Sequence, residues 1–124
     1  MPYEVGVKET ILVTGSSGFL GNSIIEGLRD QYNVIGLSRT ELRNNYLKCD
    51  LTDELAVSKL AKSISPTIII HAAGLKDIQR CEKKPKLAHL INVHMVRNVS
   101  NHFPNAKIIY ISTDYVFRLS LIHI

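Results

Sequence analysis

With 124 residues the chain has room for one hydrophobic core but not for that core plus a separate substrate lobe. Its 45% apolar and 21% charged residues suit an ordinary globular protein, and no apolar run approaches the roughly 18 residues of a membrane span, which argues against a membrane partner. The net charge of +4 is spread from Lys8 to Arg118, and with only 6% aromatic residues it lacks the dense basic footprint of a nucleic-acid binder.

Thr10-Ile11-Leu12-Val13 is a continuous aliphatic and β-branched run, as in a strand buried on both faces of a parallel sheet. Glycines follow at once. From Phe19 to Arg29 the apolar residues Leu20, Ile24, Ile25 and Leu28 recur at helical spacing, and Asn33-Val34-Ile35-Gly36-Leu37 supplies a second strand. These pieces complete a βαβ unit. Tyr46-Leu47-Lys48 reads as a short third strand, and Thr52 as the cap of a helix through Ile64, with Val57, Leu60, Ala61 and Ile64 as its apolar stripe. Ser65-Pro66 ends it. Thr67-Ile68-Ile69-Ile70-His71 is a fourth, buried strand, and a loop from Ala72 to Lys86 leads to a helix carrying Leu87, Ile91, Met95 and Val99 on one face. Pro104-Asn105 stops that helix before a fifth strand, Lys107 to Ile111.

This alternation predicts an α/β fold, a doubly wound parallel sheet of Rossmann type in the order 3-2-1-4-5. Residues 1–124 are expected to form a single, partial domain, with 118–124 an atypical tail. Met1-Pro2-Tyr3-Glu4 lacks the basic and apolar regions of a secretory signal, so a cytoplasmic location is expected. Cys49 and Cys81 form no ligand pattern and read as reduced structural thiols. His89, His94 and His102 lack the i, i+4 spacing of a zinc helix, so no metal site is expected.

The chemistry concentrates in Thr14-Gly15-Ser16-Ser17-Gly18-Phe19-Leu20-Gly21. A pyrophosphate needs backbone N–H donors at close range, and a helix N-terminus offers unpaired ones at the positive end of its dipole. Gly15 permits the tight turn after the strand, Gly18 lets the phosphate approach, and Gly21 lets the helix pack close to the sheet. Gly15, Ser17, Gly18, Phe19, Leu20 and Gly21 are therefore candidate cofactor-binding residues. Cofactor choice is read at the end of the second strand, where an acid accepts from a ribose 2′-OH and a base meets a 2′-phosphate. Ser38-Arg39 stands there, so NADP is favoured, with NAD the alternative.

The GxxGxxG spacing resembles that of extended short-chain dehydrogenases acting on nucleotide sugars. The resemblance runs on through Asp50-Leu51-Thr52-Asp53, His71-Ala72-Ala73-Gly74, Cys81 to Val93, and Ser112-Thr113-Asp114-Tyr115-Val116-Phe117. That last stretch is similar to the dTDP-4-dehydrorhamnose reductase branch, and so implies a role in dTDP-rhamnose biosynthesis. The resemblance implies that Asp50 and the Leu51 backbone bind adenine, that Ala72, Ala73 and Gly74 let the cofactor lie against backbone, and that Asn92 is the family's helix asparagine. It implies too that the Thr113 hydroxyl contacts the sugar carbonyl as a catalytic group. His71 reads instead as a buried, hydrogen-bonded residue at a strand end.

The implied function is reduction of a 4-keto deoxy sugar nucleotide. A nucleotide-sugar epimerase or dehydratase is the neighbouring alternative, and a non-catalytic module like the methionine adenosyltransferase regulatory subunit is the distant one. The family's proton donor is a Tyr with a Lys four residues on, whereas Tyr3, Tyr32, Tyr46, Tyr110 and Tyr115 are followed at that spacing by Val7, Gly36, Asp50, Asp114 and Leu119. The chain is therefore expected to be the cofactor-binding, amino-terminal part of a longer enzyme, inactive alone and truncated before the later strands and substrate lobe. A nucleotide-sugar substrate and a homodimer of the full-length protein are the partners this pattern allows.

Overall fold

The computed structural model describes residues 8–16, 18–39, 46–72 and 85–111. Five parallel strands form one sheet in the order β3-β2-β1-β4-β5. In chain order the elements are β1 (Thr10–Thr14), α1 (Phe19–Leu28), β2 (Asn33–Ser38), β3 (Tyr46–Lys48), α2 (Glu54–Ser63), β4 (Ile68–His71), α3 (Pro85–His102) and β5 (Lys107–Tyr110). The central strand β1 pairs with β2 through Leu12 opposite Ile35, and with β4 through Leu12 opposite Ile69.

Strand alternation sorts the side chains into two layers. Leu12, Leu37 and Ile69 form the larger core with Val57 and Leu60 of α2 and Met95 and Val99 of α3. On the opposite face Ile11, Val13 and Ile70 pack with Ile25 of α1. Both faces are thus covered by helices, which is why β1 and β4 are aliphatic without interruption.

β4 starts one residue later than expected, at Ile68, α2 and β5 end one residue earlier, at Ser63 and Tyr110, and three further details differ from the sequence expectation. Asp53, not Thr52, caps α2, its carboxylate accepting from the N–H groups of Leu55 and Ala56. Thr52 is diverted because its own N–H and hydroxyl donate to Asp50 at 3.0 and 2.7 Å. α3 opens at Pro85, inside the stretch expected to be loop, in keeping with the fixed φ of proline in a helix's first turn. β1 and β2 each run one residue further than the aliphatic pattern indicated, so Thr14 and Ser38 are strand residues at the carboxyl edge.

Candidate functional site

The order 3-2-1-4-5 reverses direction between β1 and β4, and open α/β sheets bind ligands at the carboxyl ends of the strands at such a point. The glycine loop lies there. Gly15 takes a φ of 69°, a left-handed conformation that turns the chain sharply out of β1. The turn is held by Ser16 N–H donating to the Leu37 carbonyl and Gly18 N–H donating to the Gly15 carbonyl, both at 3.0 Å.

Gly21 is the tightest position of the loop. A Cβ built on it would lie 2.1 Å from the Gly15 oxygen, so its missing side chain lets α1 pack against the backbone that leaves β1. Among the described residues a Cβ on Gly18 would meet the Gly15 oxygen at 3.4 Å, an ordinary contact, so none of them requires a glycine there. Space for a ligand is a sufficient reason. Gly18 is also the N-cap of α1 and supplies no side-chain hydrogen bond, and the first turn contains no acid. Neither the cap nor the first turn thus supplies an anion to the dipole's positive end, and an anion is the kind of group such a helix start favours. Leu20 is half-buried in that turn, Phe19 stands 90% exposed beside it, and the Ser16 hydroxyl is buried without a partner among the described residues.

The neighbouring strand ends place the groups expected at the adenosine side. Ser38 is buried at the end of β2, and Arg39 is exposed just beyond it. Asp50 follows β3, and its Oδ1 accepts both bonds from Thr52. Burial alone would push the Asp50 carboxyl up, but those bonds and the positive charge of Arg39 outweigh it and hold the group below the usual carboxylate range. The Leu51 carbonyl accepts from the Asn98 amide at 2.8 Å. Cys49, beside these acids, is a free buried thiol, raised by burial and by the charges of Asp50 and Asp53. That is the setting of an inert structural cysteine.

Beneath the loop, three strands align a polar row. Thr14 is in register with His71, and His71 with Tyr110. The Thr14 hydroxyl accepts from the Ala72 N–H at 3.0 Å and is hydrogen-bonded to His71 Nδ1 at 2.9 Å. The Ala72 backbone is thereby tied to a side chain of the strand that leads into the glycine loop. His71 is 1% exposed, and burial lowers its pKa to about 4, so it is a neutral, buried strand-end residue as expected. The Tyr110 ring lies 5.5 Å from it, centroid to centroid, and the Asn92 amide donates to the Tyr110 hydroxyl. Asn92 Oδ1 and His71 Nε2 are buried without partners among the described residues. Sequence patterning missed this row, because only strand register brings Thr14, His71 and Tyr110 side by side. Ser17, Ala73, Gly74 and Thr113 lie outside the described residues.

Residues 9–119 match the model of the family described as the RmlD substrate binding domain. Methionine adenosyltransferase 2 subunit beta of Danio rerio is 33% identical over 108 residues, covering 86% of this chain and 33% of the relative. dTDP-4-dehydrorhamnose reductase of Aggregatibacter actinomycetemcomitans is 32% identical over 111 residues, covering 86% of this chain and 35% of the relative. The crystal structure of dTDP-4-dehydrorhamnose reductase from Bacillus anthracis in complex with NADP superposes with a TM-score of 0.70 at 31% identity, covering 88% of this chain and 38% of that one. The chain thus spans about a third of the length of the curated relatives it matches.

Proposed function

The chain belongs to the RmlD substrate binding domain family, and from that premise we propose that it is the dinucleotide-binding part of a reductase that uses NADPH on the 4-keto group of a deoxy nucleotide sugar. The observation that carries this is the open N-terminus of α1: a glycine-lined turn at the switch point of the sheet, without a side-chain cap or acid in the first turn. The NADP bound by the Bacillus anthracis relative supports it.

In this assignment the N–H groups of the first turn of α1 hold the pyrophosphate, helped by Gly15, Ser17 and Gly18. Arg39 meets the 2′-phosphate, and Asp50 with the Leu51 N–H meets the adenine. Ala72, Ala73 and Gly74 flank the ligand with backbone, and Asn92 supports the floor of the cleft through Tyr110. When bound, the cofactor supplies hydride. Thr113 hydrogen-bonds the sugar carbonyl oxygen and favours the negative charge that develops there. No tyrosine of this chain has a lysine four residues on, so the chain alone is assigned binding and not turnover. A nucleotide sugar as substrate, and a homodimer of the longer protein, belong to the same proposal.

Titration of the chain with NADPH and NADH tests the assignment, the expected result being saturable binding with NADPH the tighter. Tighter NADH would overturn the cofactor choice, and no binding of either would overturn the site. A second reading, a non-catalytic regulatory module, is favoured by the 33% identity to methionine adenosyltransferase 2 subunit beta. Reduction of a 4-keto nucleotide sugar by a longer protein that contains this chain and a downstream Tyr-x-x-x-Lys would support the reductase. Its co-purification with a partner enzyme, without reductase activity, would support the regulator.

A further inference from the structure

Arg39 and Asp50 are brought together by strand pairing, not by sequence. Ser38 at the end of β2 is in register with Lys48 at the end of β3, and the Cys49 N–H continues the ladder by donating to the Ser38 carbonyl at 2.9 Å. Arg39 follows Ser38 directly, and Asp50 follows Cys49, so the two leave neighbouring strand ends one position apart. Thr52 takes only one oxygen of Asp50, with both of its donors directed at Oδ1. Oδ2 accepts no hydrogen bond among the described residues, and the Arg39 charge is among those felt by the carboxylate.

Coulombic influence is mutual. An arginine that favours the ionised form of Asp50 has its own positive potential offset by that carboxylate to the same degree. We propose that Asp50 is a specificity-determining residue, whose negative charge offsets Arg39 and thereby restrains the preference for a 2′-phosphorylated dinucleotide. This rests on the dinucleotide assignment above, and it concerns the charge of Asp50, separately from any hydrogen bond to adenine. The 2′-phosphate carries about two negative charges, whereas the unphosphorylated ribose carries none, so the effect falls on one ligand and spares the other. Over separations of about one Debye length, a unit charge changes the affinity for such a phosphate about two- to sixfold at low ionic strength, and less as salt is added.

The test is calorimetric titration of NADPH and NADH against the wild-type chain, Asp50→Asn, Arg39→Gln and the double variant, in low and high salt. An asparagine side chain still accepts from Thr52 through Oδ1, so Asp50→Asn removes the charge and keeps the turn, which far-ultraviolet circular dichroism verifies. The expected result is that Asp50→Asn raises the NADPH-to-NADH affinity ratio about two- to sixfold, Arg39→Gln lowers it, and the double variant returns close to wild type. The Asp50→Asn gain should shrink in high salt. A ratio that is unchanged or lowered in Asp50→Asn, while both dinucleotides still bind, overturns this inference alone. Failure of either dinucleotide to bind the folded wild-type chain overturns the underlying site assignment, and the inference with it.

Discussion

The N-termini of α1 and α2 begin equal-length helices of 10 residues, yet their sequences treat the exposed N–H groups in opposite ways. α2 is closed by its own chain: Asp53 accepts from two N–H groups, and Glu54 adds a charge to the first turn. α1 begins at a glycine, with no side-chain cap and no acid. In the proposed function the uncapped start of α1 receives an external anion, whereas the start of α2 is satisfied by the chain itself.

The largest expected effect is on the open end. Gly21→Ala forces a methyl against the Gly15 carbonyl 2.1 Å away, and should cost about 3 kcal/mol or more in chemical denaturation and abolish dinucleotide binding. The matching exposed-helix substitution Gly27→Ala, with nothing within 4 Å, should not destabilise the chain.

Acid is the next lever, because the strand leading into the open end is hydrogen-bonded to a buried neutral histidine. The pKa of His71 is lowered to about 4 from 6.5, so between those values the unfolded chain binds the proton that the folded chain refuses. The stability contributed by neutral His71 is full above pH 6.5 and falls as pH drops toward 4, by roughly 3 kcal/mol in all. Denaturant midpoints across this window should show that slope, and His71→Asn should flatten it.

At the closed end, Asp53→Ala should cost about 1 kcal/mol of stability by thermal denaturation and leave dinucleotide affinity unchanged. The smallest effect comes from making the open end resemble the closed one. Gly18→Ser fits the extended backbone at φ −80° and ψ 163°, and should gain a few tenths of a kcal/mol while weakening NADPH binding about threefold. Loss of NADPH affinity in Asp53→Ala, or none in Gly18→Ser, would erase the distinction between the two ends.

The βαβ rhythm and the glycine loop were legible in the sequence because each is local: an aliphatic run, glycines at fixed spacing, then residues recurring with helical period. The strand order followed from the same alternation. Pairings set by register were not legible. Nothing in the sequence around His71 announces Thr14 or Tyr110, and nothing near Arg39 announces Asp50. Thr52 was the cap that the sequence suggested, but its side chain is turned to Asp50 two residues earlier, and Asp53 accepts from the helix N–H groups instead. At Gly21, the sequence indicated that the helix packs close to the sheet, and the nearest contact is the backbone of Gly15, just beyond β1.

Tyr46 gives the edge of the sheet a further property. Its ring covers Gly36 of the neighbouring strand, where a Cβ would come within 2.6 Å of it, and its hydroxyl donates to Asn22 of α1 at 2.6 Å. One side chain thus bolts the short edge strand that leads to Asp50 onto the helix that begins at the glycine loop. The span between the two is set by a rigid ring rather than by a loop. Under the proposed function these two ends work as a gauge of fixed length, which a nucleotide reaching from the glycine loop to Asp50 would have to match.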